Sequence, residues 1–139
     1  MNPFDPPGRD KVHDFPSLVA ALKLRIDVYV DERAEGVADN QHMNECGGVQ
    51  PPETRIRDTL EKYVDRCGQN PGLWQGDFHT GSILGKMALI AKVVAREEEL
   101  DEVDRAIIVD FINYTGETAG CDYGMYTKDL DGDEWRQGC

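Results

Sequence analysis

Ser82-Ile83-Leu84-Gly85-Lys86-Met87-Ala88-Leu89-Ile90-Ala91-Lys92-Val93-Val94-Ala95 decides the fold of this 139-residue chain, read together with Asp101–Ala119 just beyond it. Wound as a helix, the first segment is apolar over well more than half its circumference, with Gly85, Lys92 and Arg96 as a narrow polar strip. In the second, Val103, Ile107, Ile108, Phe111, Ile112 and Tyr114 make an equally wide arc, with Val109 beyond it. Helices this apolar are not stable alone in water and must cover each other. The linker Arg96-Glu97-Glu98-Glu99-Leu100-Asp101-Glu102-Val103-Asp104 is short and acidic. The pattern therefore predicts an antiparallel helical hairpin over 80–120 as the core of a mainly α fold.

Upstream, Ile56, Leu60, Tyr63, Val64 and Cys67 share one face of a helix over about 52–67, with Gly68 as its stop. Residues 22–31 support two readings. Leu22, Leu24, Ile26, Val28 and Val30 alternate with mostly polar residues, as in a half-buried strand. Leu18, Leu22, Ile26, Tyr29 and Val30 instead share a helical face. The absence of a clear partner strand favours the helix, since an unpaired strand would expose its backbone groups. The expectation is a single domain over 1–139, a compact bundle of three to four helices. The alternative is an α+β fold with a strand at 22–31, which would pair across a homodimer. Residues 1–13 are expected as an extended arm, 36–53 and 69–80 as loops, and the acidic, aromatic 121–139 as a segment packed on the bundle.

The net charge of −12 is spread along the chain. Such a surface repels phosphate, which argues against direct nucleic-acid binding and against anionic membranes, and favours a partner protein with a basic surface. No run approaches the roughly 20 apolar residues of a membrane span, and the Pro- and Asp-containing N-terminus does not read as a signal peptide. The expected location is the cytoplasm. Cys46, Cys67, Cys121 and Cys139 show no regular spacing and read as reduced thiols. A zinc site on His42 and Cys46 would need two more ligands from distant sequence.

Three features could carry chemistry. Lys86 falls among Leu89, Ile90 and Val93, where a buried ammonium needs a carboxylate or a path to water. Asp110, Asn113 and Glu117 line one edge of the second hairpin helix, and Asp58, Glu61 and Asp65 repeat that spacing upstream. Both stripes lie opposite or beside apolar arcs and are expected to face solvent. Together they would offer the oxygen ligands that Mg²⁺ prefers. Asp77 with His79, and the Asp129–Glu134 run, are better read as a capping turn and an incomplete calcium loop.

On Asp58-Thr59-Leu60-Glu61 and Asp110-Phe111-Ile112-Asn113, the stretch 54–120 resembles the MazG-like all-helical nucleotide pyrophosphohydrolases, and small helical phage domains. Both motifs open with Asp where that family has Glu, and Asn113 stands in place of a charged ligand. The resemblance implies Mg²⁺ held by Asp58, Glu61, Asp110, Asn113 and Glu117, with Lys86 on phosphate and metal-activated water attacking a nucleoside triphosphate. The other expectation needs no cofactor. It is a small acidic interaction module, such as a phage-type accessory or inhibitor protein, whose Glu97, Glu98, Glu99, Asp101, Glu102 and Asp104 engage a basic partner surface.

Overall fold

Leu24 and Val28 settle the ambiguous segment. In a strand they would share the buried face with Leu22 and Ile26, yet they are 69 % and 43 % exposed while Leu18, Leu22, Ile26, Tyr29 and Val30 are sealed from solvent. That is a helical face, and the strand alternative at 22–31 is overturned. The computed structural model describes residues 15–34, 51–69, 71–74 and 80–118. Among these the chain forms α1 (Phe15–Ala34), α2 (Glu53–Gly68), a short 3-10 turn (Pro71–Trp74), α3 (Thr80–Glu97) and α4 (Glu102–Thr118), with no strand. The readings of 1–13, of most of 36–53 and 69–80, and of 121–139 lie outside the described residues, as do Cys46, Cys121 and Cys139. No helix among the described residues is long and apolar enough to cross a membrane.

The bundle is organised around α2 and α4, each of which touches the other three helices, whereas α1 and α3 make little contact. Helix α2 buries Ile56, Leu60, Tyr63, Val64 and Cys67, as the sequence predicts, and the Tyr63 hydroxyl donates to the Met87 carbonyl of α3 at 2.6 Å. Burial pushes the Cys67 thiol up to about 12, the Tyr63 hydroxyl opposing it only in part. A thiol so rarely ionised, and fully enclosed, is a poor nucleophile. Iodoacetamide at pH 8 is therefore expected to leave Cys67 unmodified in the folded protein and to alkylate it in denaturant, as read by peptide mass mapping. Native-state labelling would contradict the burial.

Helix α3 buries Ile83, Leu84, Met87, Ile90, Ala91, Val94 and Ala95, but Leu89 is exposed. The buried arc is thus narrower than the sequence suggests, and half-buried Lys86 lies on its flank beside half-buried Val93.

The linker between α3 and α4 is shorter than predicted, only Glu98–Asp101. The Leu100 N–H bonds the Ala95 carbonyl at 3.1 Å and the Glu99 N–H bonds that of Arg96 at 3.4 Å. This is the Schellman closure of a helix end, with half-buried Leu100 packed on the core. It places Glu99 in the left-handed region (φ 49°), where glycine is usual. Glu99→Gly is expected to raise the unfolding free energy by up to about 1 kcal/mol in urea titration. A loss of stability would contradict the assigned turn.

From Ala106 to Gly116 every residue of α4 is buried. A helix covered on all sides belongs to the interior of the fold, and this one carries Asp110, Asn113 and Thr115 with it.

Candidate functional site

The burial of α4 changes what its polar stripe can do. Asp110 and Asn113 do not face solvent as the sequence suggested; both are buried. The cause is α1, whose Tyr29 lies across that edge and donates its hydroxyl to Asp110 Oδ2 at 2.5 Å. The Tyr29 ring also meets Phe111 and Tyr114 edge-on, with centroids 5.5 and 5.3 Å apart. Arg25 stands over the Tyr114 ring, its guanidinium carbon 5.4 Å from the centroid. The Thr115 hydroxyl returns to the Phe111 carbonyl of its own helix at 2.9 Å. Asp110 is therefore part of a buried polar and aromatic seam between α1 and α4. Its Oδ2 is engaged by the Tyr29 hydroxyl.

Helix α2 turns its own carboxylates the other way. Asp58, Glu61 and Asp65 are exposed, and Asp65 pairs with Lys23 of α1 at 3.3 Å. On the same outer surface Arg57 reaches Asp27 at 2.5 Å. Asp58 and Glu61 in solvent and Asp110 in the core are not brought together, and the Glu117 side chain lies outside the described residues. Among the described residues no group of three or more His, Cys, Asp or Glu is arranged to hold a metal ion.

What the fold does bring together is the hairpin turn and two arginines of α2. Arg55 bonds Asp101 in bidentate fashion, at 2.8 and 3.1 Å, and its Nε reaches Asp104 at 3.1 Å. The Thr59 hydroxyl adds a bond to Asp104 at 3.2 Å. Arg66 contacts Glu97, and Glu98 at 3.3 Å. Asp101 also caps α4, accepting the Asp104 N–H at 2.9 Å. That backbone bond, aided by Arg55, holds its carboxyl below the usual range, and Asp104 in turn raises the Arg55 guanidinium further.

Removing the cap by Asp101→Ala is expected to cost about 1 kcal/mol. Asp101→Asn keeps a capping oxygen but loses the charge on Arg55, so it should cost less. Because the folded-state value is lowered, the stabilisation is present above the unfolded-state pKa of Asp and lost as pH falls through the folded one. The wild-type advantage over Asp101→Asn should therefore be full near neutral pH and vanish in the acid range below about pH 4, as urea titrations would read. An advantage that grows on acidification would contradict the assignment.

Between the two arginine bridges lies a groove of about 510 Å³. Half-buried Leu100 lines its base, with Tyr63, Val94 and Ile108 buried behind it; Lys62, Asp65 and Arg66 form the α2 rim and Glu98 and Asp104 the hairpin rim. The volume falls in the range of ligand-binding clefts, about 300–1,000 Å³.

Sequence reasoning found the acids of this site but not the residues that organise them. Arg55, Thr59, Lys62 and Arg66 recur at i, i+4, i+7 and i+11, which is one face of α2, and that spacing was the available signal. Tyr29, Arg25 and Tyr114 left none, since each reads as an ordinary helical residue until α1 is placed beside α4. No family model, curated protein or solved structure matches this chain. The described residues define a class, an all-α bundle with a charged, grooved end.

Proposed function

We propose that this chain is a small acidic interaction module of the cytoplasm, of the phage-type accessory or inhibitor kind, which binds a basic surface of a partner protein through the α3–α4 turn. One observation carries the reading. Glu97, Glu98 and Asp101 keep 55 %, 59 % and 62 % of their side-chain surface in solvent even while Arg66 and Arg55 touch them. Exposed ion pairs of this kind contribute only about 0–1 kcal/mol, so the carboxylates stay available to an incoming cation. Glu99 and Glu102 are exposed beside them. The wider field is negative, which steers a basic partner and slows nucleic acid.

The test is affinity capture at low and at high salt, using the wild type and the triple variant Glu98→Gln, Glu99→Gln, Glu102→Gln. The expected result is a partner held at low salt, released by salt and lost in the triple variant. Equal capture by the triple variant, or no capture at low salt, overturns the proposal. The MazG-type reading requires Mg²⁺ among Asp58, Glu61, Asp110, Asn113 and Glu117, with Lys86 on phosphate. With Asp58 and Glu61 in solvent and Asp110 on Tyr29, no observation favours it over the binding role. Nucleoside triphosphate turnover above that of Asp110→Asn in Mg²⁺ or Mn²⁺ would reinstate it.

A further inference from the structure

We infer that the chain associates with further copies of itself head to tail, the outer face of α1 in one copy seating on the outer face of α3 in the next. The inference is independent of the role given to the α3–α4 turn.

Two helices carry the same pattern with opposite charge. In α1 it is Leu24-Arg25-Ile26-Asp27-Val28-Tyr29-Val30-Asp31, and in α3 it is Leu89-Ile90-Ala91-Lys92-Val93-Val94-Ala95-Arg96. Leucine, a charge, valine and a second charge stand at i, i+3, i+4 and i+7 in each, which is one face of a helix. On α1 the charges are Asp27 and Asp31; on α3 they are Lys92 and Arg96. The bundle turns both faces outward. Leu24, Val28 and Leu89 are the large apolar side chains exposed among the described residues, Leu89 at 52 %, and half-buried Val93 lies beside Leu89. Asp27, Asp31 and Arg96 are exposed with them, and Lys92 is half-buried.

Charge decides which surface fits which. Two α1 faces would oppose carboxylates and two α3 faces would oppose cations, and like charges across a contact are costly. Setting α1 on α3 brings carboxylates to cations and covers Leu24 and Val28 with Leu89 and Val93. The nearby cations of α1 are engaged within the copy, Lys23 on Asp65 of α2 and Arg25 over the Tyr114 ring. Asp27 touches Arg57 but keeps 60 % of its side-chain surface in solvent. From Thr80 to Arg96, α3 has no acidic residue, in a chain of net charge −12. The two helices make little contact with each other, and each packs on α2 and α4 instead. A face that meets a different face on the next copy is a heterologous contact, which extends from copy to copy or closes as a ring. The seam is small and the net charge repels, so the association is weak and follows concentration.

Sedimentation velocity on the full chain, from about 10 µM to about 1 mM, tests this. The wild type is expected to gain mass with concentration. Leu24→Ser with Val28→Ser blocks the α1 face, and Leu89→Ser blocks the α3 face. All three residues are exposed, and circular dichroism should confirm an unchanged fold. Each blocked variant alone should stay monomeric. Mixed in equal amounts they should form a one-to-one pair, through α3 of the first and α1 of the second. Adding Asp31→Lys to the Leu89→Ser variant should weaken that pair at least about fivefold, and adding Arg96→Glu to its partner should restore it. A wild type that stays monomeric at the highest concentration overturns the inference. So does either blocked variant self-associating as the wild type does, or a mixture in which no pair forms. A pair indifferent to Asp31→Lys overturns it as well.

Discussion

Tyr29→Ala is expected to remove about 3–5 kcal/mol of unfolding free energy, a large part of the 5–15 kcal/mol typical of a domain. Tyr29 is fully buried and does two jobs at once. Its ring fills the angle between Phe111 and Tyr114, and its hydroxyl donates to Asp110. The alanine variant leaves a cavity at the α1–α4 junction and takes the donor away from a buried carboxyl. Tyr29→Phe separates the two effects. It keeps the packing and loses only the hydrogen bond, for an expected cost of roughly 1–3 kcal/mol. Urea titration with an unchanged m-value is the measurement. A cost under about 0.5 kcal/mol for Tyr29→Ala would mean that α1 does not seat on α4 as described.

Tyr63→Ala should be comparably damaging, again by about 3–5 kcal/mol, because this ring is fully buried in the core. Here the phenylalanine variant should behave differently. The Tyr63 hydroxyl donates to the Met87 carbonyl, which lies mid-helix in α3 and belongs to that helix's own hydrogen-bond ladder. Losing the hydroxyl leaves that carbonyl in its helical bond, so Tyr63→Phe is expected to cost about 1 kcal/mol or less. The two tyrosine-to-phenylalanine substitutions thus rank in a definite order, with Tyr29 the costlier. The reverse order would contradict the assignment of Asp110 as the more demanding acceptor.

Much of the architecture was legible in the sequence, because apolar residues at helical spacing mark the face that must be buried. The buried set of α2 is the set its spacing predicts, and the hairpin of α3 and α4 forms as expected. The errors share a physical origin. A helical wheel ranks faces within one helix and is silent on how many neighbours that helix has. On that basis Asp110 and Asn113 looked like a wet edge, but α4 is enclosed and the edge is covered by Tyr29. Leu89 looked like core and is exposed, because α3 presents only one side to the bundle. Segment 22–31 was ambiguous for another reason: its periodicity fits both strand and helix, and only the packing of α1 on α2 decides. At the acidic turn the composition was plain, while its clamping by Arg55 and Arg66 depended on a helix distant in sequence.

Asp110 belongs to the scaffold, and the carboxylates proposed to bind a partner are those of the turn. A double-mutant cycle on Tyr29→Phe and Asp110→Asn, read as unfolding free energies in urea, tests the first half directly. The account predicts that each single variant is destabilised and that the two couple by about 1 kcal/mol or more. Additivity within about 0.3 kcal/mol, with Asp110→Asn more stable than the wild type, would contradict it. A carboxylate kept at the expense of stability is the mark of a working site.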